Sequence, residues 1–102
     1  MLLIELNKDL REEIIECLGQ SIIDIILISN KHSDLKNDVD YVLIVKDSSN
    51  KLEIVKIYSK LAVDLSMKYG VFISIYPIYN EGFIRAESMF ISNVKDNGTS
   101  IY

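Results

Sequence analysis

The sequence predicts a single α/β (α+β) domain, a mixed β-sheet flanked by helices, and three observations carry that prediction. Its 102 residues, 49% of them hydrophobic, suffice for one buried core and are too few for two. Its apolar periodicity switches repeatedly between the helical and the extended pattern, in the order helix, strand, strand, helix, strand, helix. Gly19, Gly70 and Gly98 fall at the switches rather than inside the periodic runs.

The first helix is expected over Asn7 to Gly19, with Asn7 and Asp9 as cap candidates and Glu12 placed after Asp9 as in a capping box. Leu10, Ile14, Ile15 and Leu18 share one face of it, and Cys17 falls beside them, which reads as a buried thiol. Ser21 to Ile28 is nearly continuous Ile and Leu, the pattern of a central strand covered on both faces. Asp24 interrupts it and needs either an edge or a partner, because an ionised carboxylate is costly to bury alone.

The polar stretch Ser29 to Asn37 has no apolar period and reads as a loop. A second strand follows over Val39 to Val45, with Asp38 and Asp40 at its entrance on one face, since side-chain direction repeats every two residues. Ser48 and Ser49 are the expected caps of a long helix ending at Tyr69, with Leu52, Val55, Tyr58, Leu61, Ala62 and Leu65 as its buried stripe and Gly70 as its stop.

Val71 to Ile78 is β-branched and aromatic, and Pro77 near its end suits either an edge strand or a strand terminus. Glu81 to Ala86 is expected as a helical turn, and Ser88 as the cap of a helix through Val94 that Gly98 terminates. Thr99 to Tyr102 is left as a short extended edge.

Several function classes are disfavoured by composition. The apolar runs are far shorter than the roughly 20 residues that cross a bilayer, and Met1 to Glu5 lacks the basic region of a secretory signal, so the expected compartment is the cytoplasm. One histidine and one cysteine make no zinc cluster and no internal disulfide. A net charge of −4 argues against a nucleic-acid surface and for a small-molecule or protein partner. His32, Ser33 and Asp34 are consecutive, so they lack the convergent geometry of a triad.

The most informative chemistry is Asp38-Val39-Asp40, two carboxylates aimed at one point from a strand, an arrangement that holds a divalent cation through oxygen. Such a cation binds a triphosphate and stabilises the charge that develops during its transfer. Ile25-Ile26-Leu27-Ile28-Ser29, the following loop and then Asp38-Val39-Asp40-Tyr41-Val42-Leu43-Ile44-Val45 resemble the signature of the minimal nucleotidyltransferases of the polymerase beta superfamily. That signature is a strand ending in Gly-Ser, a loop, and Asp-x-Asp opening the next strand. The tail, from Val71 through Gly98-Thr99-Ser100-Ile101-Tyr102, is also similar to the end of that domain.

The resemblance implies a nucleotidyltransferase-like sheet, magnesium on Asp38 and Asp40, which would also be the catalytic pair, and a nucleoside triphosphate contacted by Ser29 and Lys31. It also implies a helical partner protein of the HEPN type, as in toxin–antitoxin pairs. Two departures stand out. Ile28 replaces the glycine whose small size lets backbone approach phosphate, and no Asp or Glu lies between Val71 and Asn80, where the family carries its third carboxylate. The expected function is therefore a degenerate nucleotidyltransferase-like binding module, with an active magnesium-dependent enzyme acting on a protein or small acceptor as the alternative. An unrelated α/β domain sharing the pattern, and a homo-oligomer, stay open.

Overall fold

A row of large apolar residues spaced by four, Leu6, Leu10, Ile14 and Leu18, builds the first helix, α1 (Leu3–Leu18), and is buried along its whole length. The computed structural model describes residues 3–28, 38–85 and 88–102. A row spaced by four advances about 40° around the helix axis at each step, because each residue turns about 100°. At its C-terminal end the row has therefore rotated away from Cys17, which is exposed and not buried as expected.

The helix also begins a turn before the expected Asn7, so Asn7 and Asp9 lie inside it and are not its caps. Both tie α1 to other elements instead. Asn7 Oδ1 accepts the Tyr41 hydroxyl at 2.6 Å, and the Asp9 carboxylate accepts Lys68 Nζ at 2.7 Å and the Tyr69 hydroxyl.

After a 3-10 turn at Gly19–Ser21 the chain enters β1 (Ile22–Ile28), which pairs antiparallel with β2 (Asp38–Val45). The register shifts between Ile22 and Asp24, so Ile23 is an extra residue that restarts the alternation of faces. This is how Ile22 and Ile25, an odd number of residues apart, both reach the same buried cluster. Asp24 satisfies its carboxylate as expected: Oδ1 accepts the Ser100 hydroxyl at 2.5 Å and the Ile25 N–H at 2.8 Å.

The long helix α2 (Lys51–Tyr69) is capped by Asn50, whose side chain accepts the Glu53 N–H, and not by Ser48 or Ser49. Asn50 directly precedes the first helical residue, and asparagine caps at least as well as serine. Its buried row runs through Ile54, Leu61 and Leu65, while Leu52, expected in that row, points outward. Gly70 ends the helix at φ 67°, the left-handed conformation that glycine adopts without a Cβ penalty, and returns its N–H to the Ser66 carbonyl.

The α2 crossover allows β3 (Phe72–Tyr79) to lie parallel to β2. Then follow α3 (Asn80–Arg85), which was expected to run on to Ala86, a residue outside those described, and α4 (Met89–Asn97), capped by the Ser88 hydroxyl as expected. The final strand β4 (Gly98–Ser100) pairs antiparallel with β1. The sheet order is β3-β2-β1-β4, a mixed sheet with helices on both sides.

β3 is an edge strand, and its outer rim offers few donors: the Ile73 N–H is taken by Ser66 Oγ at 3.1 Å, and Pro77 has none. One face of the sheet, through Val39, Tyr41, Leu43 and Val45, packs under α1 and α2. The other, through Ile26, Ile28, Val42 and Ile44, packs against Val94 of α4, with Phe83 of α3 alongside.

Two glycines allow a graded test. An alanine Cβ at Gly98 would meet Ile26 Cγ2 at 2.4 Å and the Val94 carbonyl oxygen at 2.5 Å, whereas one at Gly70 meets only open space. Gly98→Ala is expected to cost about 1–3 kcal/mol through overpacking. Gly70→Ala should cost about 1–2 kcal/mol from its left-handed backbone alone. Thermal melts of both variants check this, with Gly98→Ala the lower of the two.

A second test concerns pH. Hydrogen bonds from Lys68 and Tyr69 hold the Asp9 carboxyl below its ordinary 3.8, while the Asp9 carboxylate raises both partners. A depressed carboxyl stabilises the fold above its unfolded pKa and loses that contribution as pH falls through its folded one. The raised Lys68 and Tyr69 lose theirs as pH climbs beyond about 10. Asp9→Asn should therefore melt below the wild type at pH 7, and the gap between the two should close on acidification below the ordinary carboxylate range.

Candidate functional site

The apolar residues of β2 dictate where its two carboxylates point. Val39, Tyr41, Leu43 and Val45 belong to the cluster under α1 and α2, and Val42 and Ile44 to the opposite one, so Asp38 and Asp40 share the face of Val42 and Ile44. Successive same-face positions on a strand lie about 7 Å apart, close enough for both carboxylates to serve one point beyond the sheet. Both are partly exposed.

The neighbouring strands complete this end of the sheet. Asp40 pairs with Ile28, the last residue of β1, and with Ser74 of β3, while Asp38 pairs with Phe72 and Val42 with Tyr76. Ile73 and Ile75 are buried in the cluster under α1 and α2, so Phe72, Ser74 and Tyr76 lie on the carboxylate face. Reading across the two strands, the face is a grid of Asp38, Asp40 and Val42 beside Phe72, Ser74 and Tyr76. The Tyr76 ring meets Phe90 of α4 edge to face, with ring centres 5.6 Å apart.

Ser29 and Lys31, the residues expected to contact a nucleotide, lie outside the described residues, as do His32, Ser33, Asp34 and Lys36. Among the described residues, Asp64 and Glu81 lie away from the pair. Asp64 lines a groove between α1 and α2 with Glu13 and Leu61, on the opposite side of the sheet. Glu81 is at the far end of β3, where its N–H donates to Asp47 Oδ1 and its carboxylate pairs with Arg85 at 2.9 Å. Among the described residues no three His, Cys, Asp or Glu side chains gather as a metal set.

No family model matches the chain, and neither a curated protein nor a solved structure matches it. Asp38 and Asp40 supply oxygen ligands of the kind magnesium accepts when phosphates and waters complete its shell. Ser74, opposite Asp40, adds a neutral hydroxyl where a third carboxylate would have brought charge. Among the described residues no helix is long and apolar enough to cross a membrane.

Tyr76, Tyr79, Phe83 and Phe90, four aromatic residues of β3, α3 and α4, take separate places. Phe83 packs against the smaller buried cluster, the Tyr79 hydroxyl donates to the Ser49 carbonyl, and only Tyr76 and Phe90 stay at the surface. Phe72, 67% exposed, joins them and was not singled out. The signal was available: Phe72, Ser74 and Tyr76 alternate with Ile73 and Ile75, and only the isoleucines share the face of the main core.

Two carboxylates and a hydroxyl should make a weak site for a hard cation. Titrating Mn2+ into 15N-labelled protein is expected to broaden amide resonances of residues 38–40 and 72–76 only at millimolar metal. The Asp38→Asn, Asp40→Asn double variant should lose that localised broadening.

Proposed function

We propose that the chain is a nucleotidyltransferase-like domain of the minimal, polymerase beta type that has lost catalysis and acts in the cytoplasm as a binding module. Its partner in this reading is a helical protein of the HEPN type, held in an antitoxin-like complex. The observation that carries the reading is the make-up of one end of the sheet: a carboxylate pair on a single face of β2, flanked on β1 by Ile28 and on β3 by Ser74.

The pair matches the resemblance that the sequence bears to that superfamily, and its flanks explain the loss. Ile28 stands where the family's glycine would be and is built into the buried cluster with Ile26, Val42 and Ile44, so the bulk at the end of β1 is structural. It takes the room that a close phosphate approach would need. Ser74 leaves the strand beside the pair without the third carboxylate that the resemblance implies. Loss of catalysis frees the same face for contacts with a protein, and its exposed aromatic residues suit the centre of an interface.

The alternative reading, an active magnesium-dependent nucleotidyltransferase acting on a protein or small acceptor, is favoured by the shared face of Asp38 and Asp40. Magnesium is commonly held by one or two carboxylates plus substrate phosphates, which this pair would allow.

Calorimetry separates the two. Titration with millimolar ATP and magnesium is expected to give no binding heat, and the chain isolated from its source cell should show, by native mass measurement, a stable complex with a second protein. A binding heat that disappears in Asp38→Asn would establish the enzyme reading instead.

A further inference from the structure

The helices α1 and α2, side by side over one face of the sheet, carry opposite charge. α1 has five acids against two bases, whereas α2 has four lysines against two acids. They run antiparallel: Asp9 pairs with Lys68, and Glu13 and Cys17 share a groove with Lys56 and Lys60. Toward the Cys17 end the charges are left without ion pairs. Glu13, Glu16, Lys56 and Lys60 are exposed, and among the described residues no salt bridge engages any of them.

This end of the helical layer is removed from the carboxylates of β2. α1 leads through the 3-10 turn into Ile22, and Ile22 pairs with Val45, the residue that ends β2 before α2. Residues 29–37 attach at Ile28 and Asp38, at the other end of the seven-residue β1, about 20 Å along the strand. Residues 1 and 2 precede the far end of α1, and α3 and α4 pack on the opposite face of the sheet. Beside the charges the layer is partly apolar: Ile57 and Leu61 line the groove, and Leu52 and Val63 of α2 are 65% and 58% exposed.

We propose that this layer is the contact surface between two copies of the chain, packed face to face about a two-fold axis that runs along the groove. α1 of each copy then lies over α2 of the other. A rotation about an axis parallel to the helices keeps every residue at its own level, so Glu13 and Glu16 of one copy meet Lys56 and Lys60 of the other. An isologous contact repeats each such pairing, so the match counts twice.

Charge selects this arrangement over its rival. A two-fold running across the helices would set α1 on α1 and α2 on α2, acid against acid and lysine against lysine, which like-charge repulsion opposes. α2 brings Asp64 to the groove as well, against two lysines. Leu52 and Val63 supply apolar surface of the kind that the centre of an interface buries. The surface lies on the other side of the sheet from Asp38 and Asp40, so the inference goes beyond the binding-module reading and does not depend on it.

The test uses the full chain and two variants of reversed charge, Lys56→Glu with Lys60→Glu, and Glu13→Lys with Glu16→Lys. In sedimentation velocity the wild type is expected to shift from monomer to dimer as its concentration rises, and each variant alone should dimerise at least about tenfold more weakly. Mixing the two variants, one of them labelled with 15N, should restore the dimer, and native mass measurement should identify it as the mixed pair. The reversed residues are exposed, so both variants are expected to melt close to wild type.

The same axis brings Cys17 of one copy near Cys17 of the other across the groove, and Cys17 is the chain's single cysteine. A short bifunctional maleimide should therefore join the wild-type copies, and neither reversed variant alone. A chain that stays monomeric up to millimolar concentration, or a dimer that both variants retain at full strength, would overturn the proposal. So would a mixture that stays monomeric, or a wild-type dimer in which the reagent fails to link Cys17.

Discussion

The two-sided burial of β2 is the constraint from which the rest of the structure follows. Leu43 and Tyr41 press into the layer of α1 and α2 while Val42 and Ile44 press into the layer of α4, and all four are essentially inaccessible to solvent. A shift of one residue would exchange the faces of every side chain on the strand, so burial on both sides fixes the register against β1 and β3. The positions of Asp38 and Asp40 are inherited from that register. The carboxylates meet on one face because the hydrophobic residues after them leave no other arrangement.

Much of this was legible in the residues. The alternation of β2, the Gly70 stop, the Ser88 cap and the edge position of Pro77 each follow from a local physical rule, and the structure obeys them. What escaped was longer-range geometry. Asn7 and Asp9 have the chemistry of helix caps, yet a hydroxyl of β2 and the last turn of α2 claim them, a competition that only tertiary contact decides. Cys17 sits on the apolar side of an average helix wheel, but the row actually buried drifts around α1 and leaves it behind. The extra residue at Ile23 was hidden inside a run of isoleucines that gives no sign of where the alternation restarts.

At the candidate site the same division holds. The shared face of Asp38 and Asp40 could be read from a period of two, whereas their neighbours could not, because strand pairing sets them. Pairing brings Ser74 and Ile28 to either side of Asp40. Ile28 serves the hydrophobic cluster that Val94 closes, so the smaller core and the room for a ligand compete for one position.

The outer rim of β3 has a consequence for how such a chain behaves when crowded. A strand that shows aromatic side chains on one face and lies at the margin of a sheet is a natural template for growing fibrils. Here the Ser66 hydroxyl occupies one of the rim's donors and the ring of Pro77 removes another, so an incoming strand would find a ladder with missing rungs. Both features work against edge-to-edge pairing along β3.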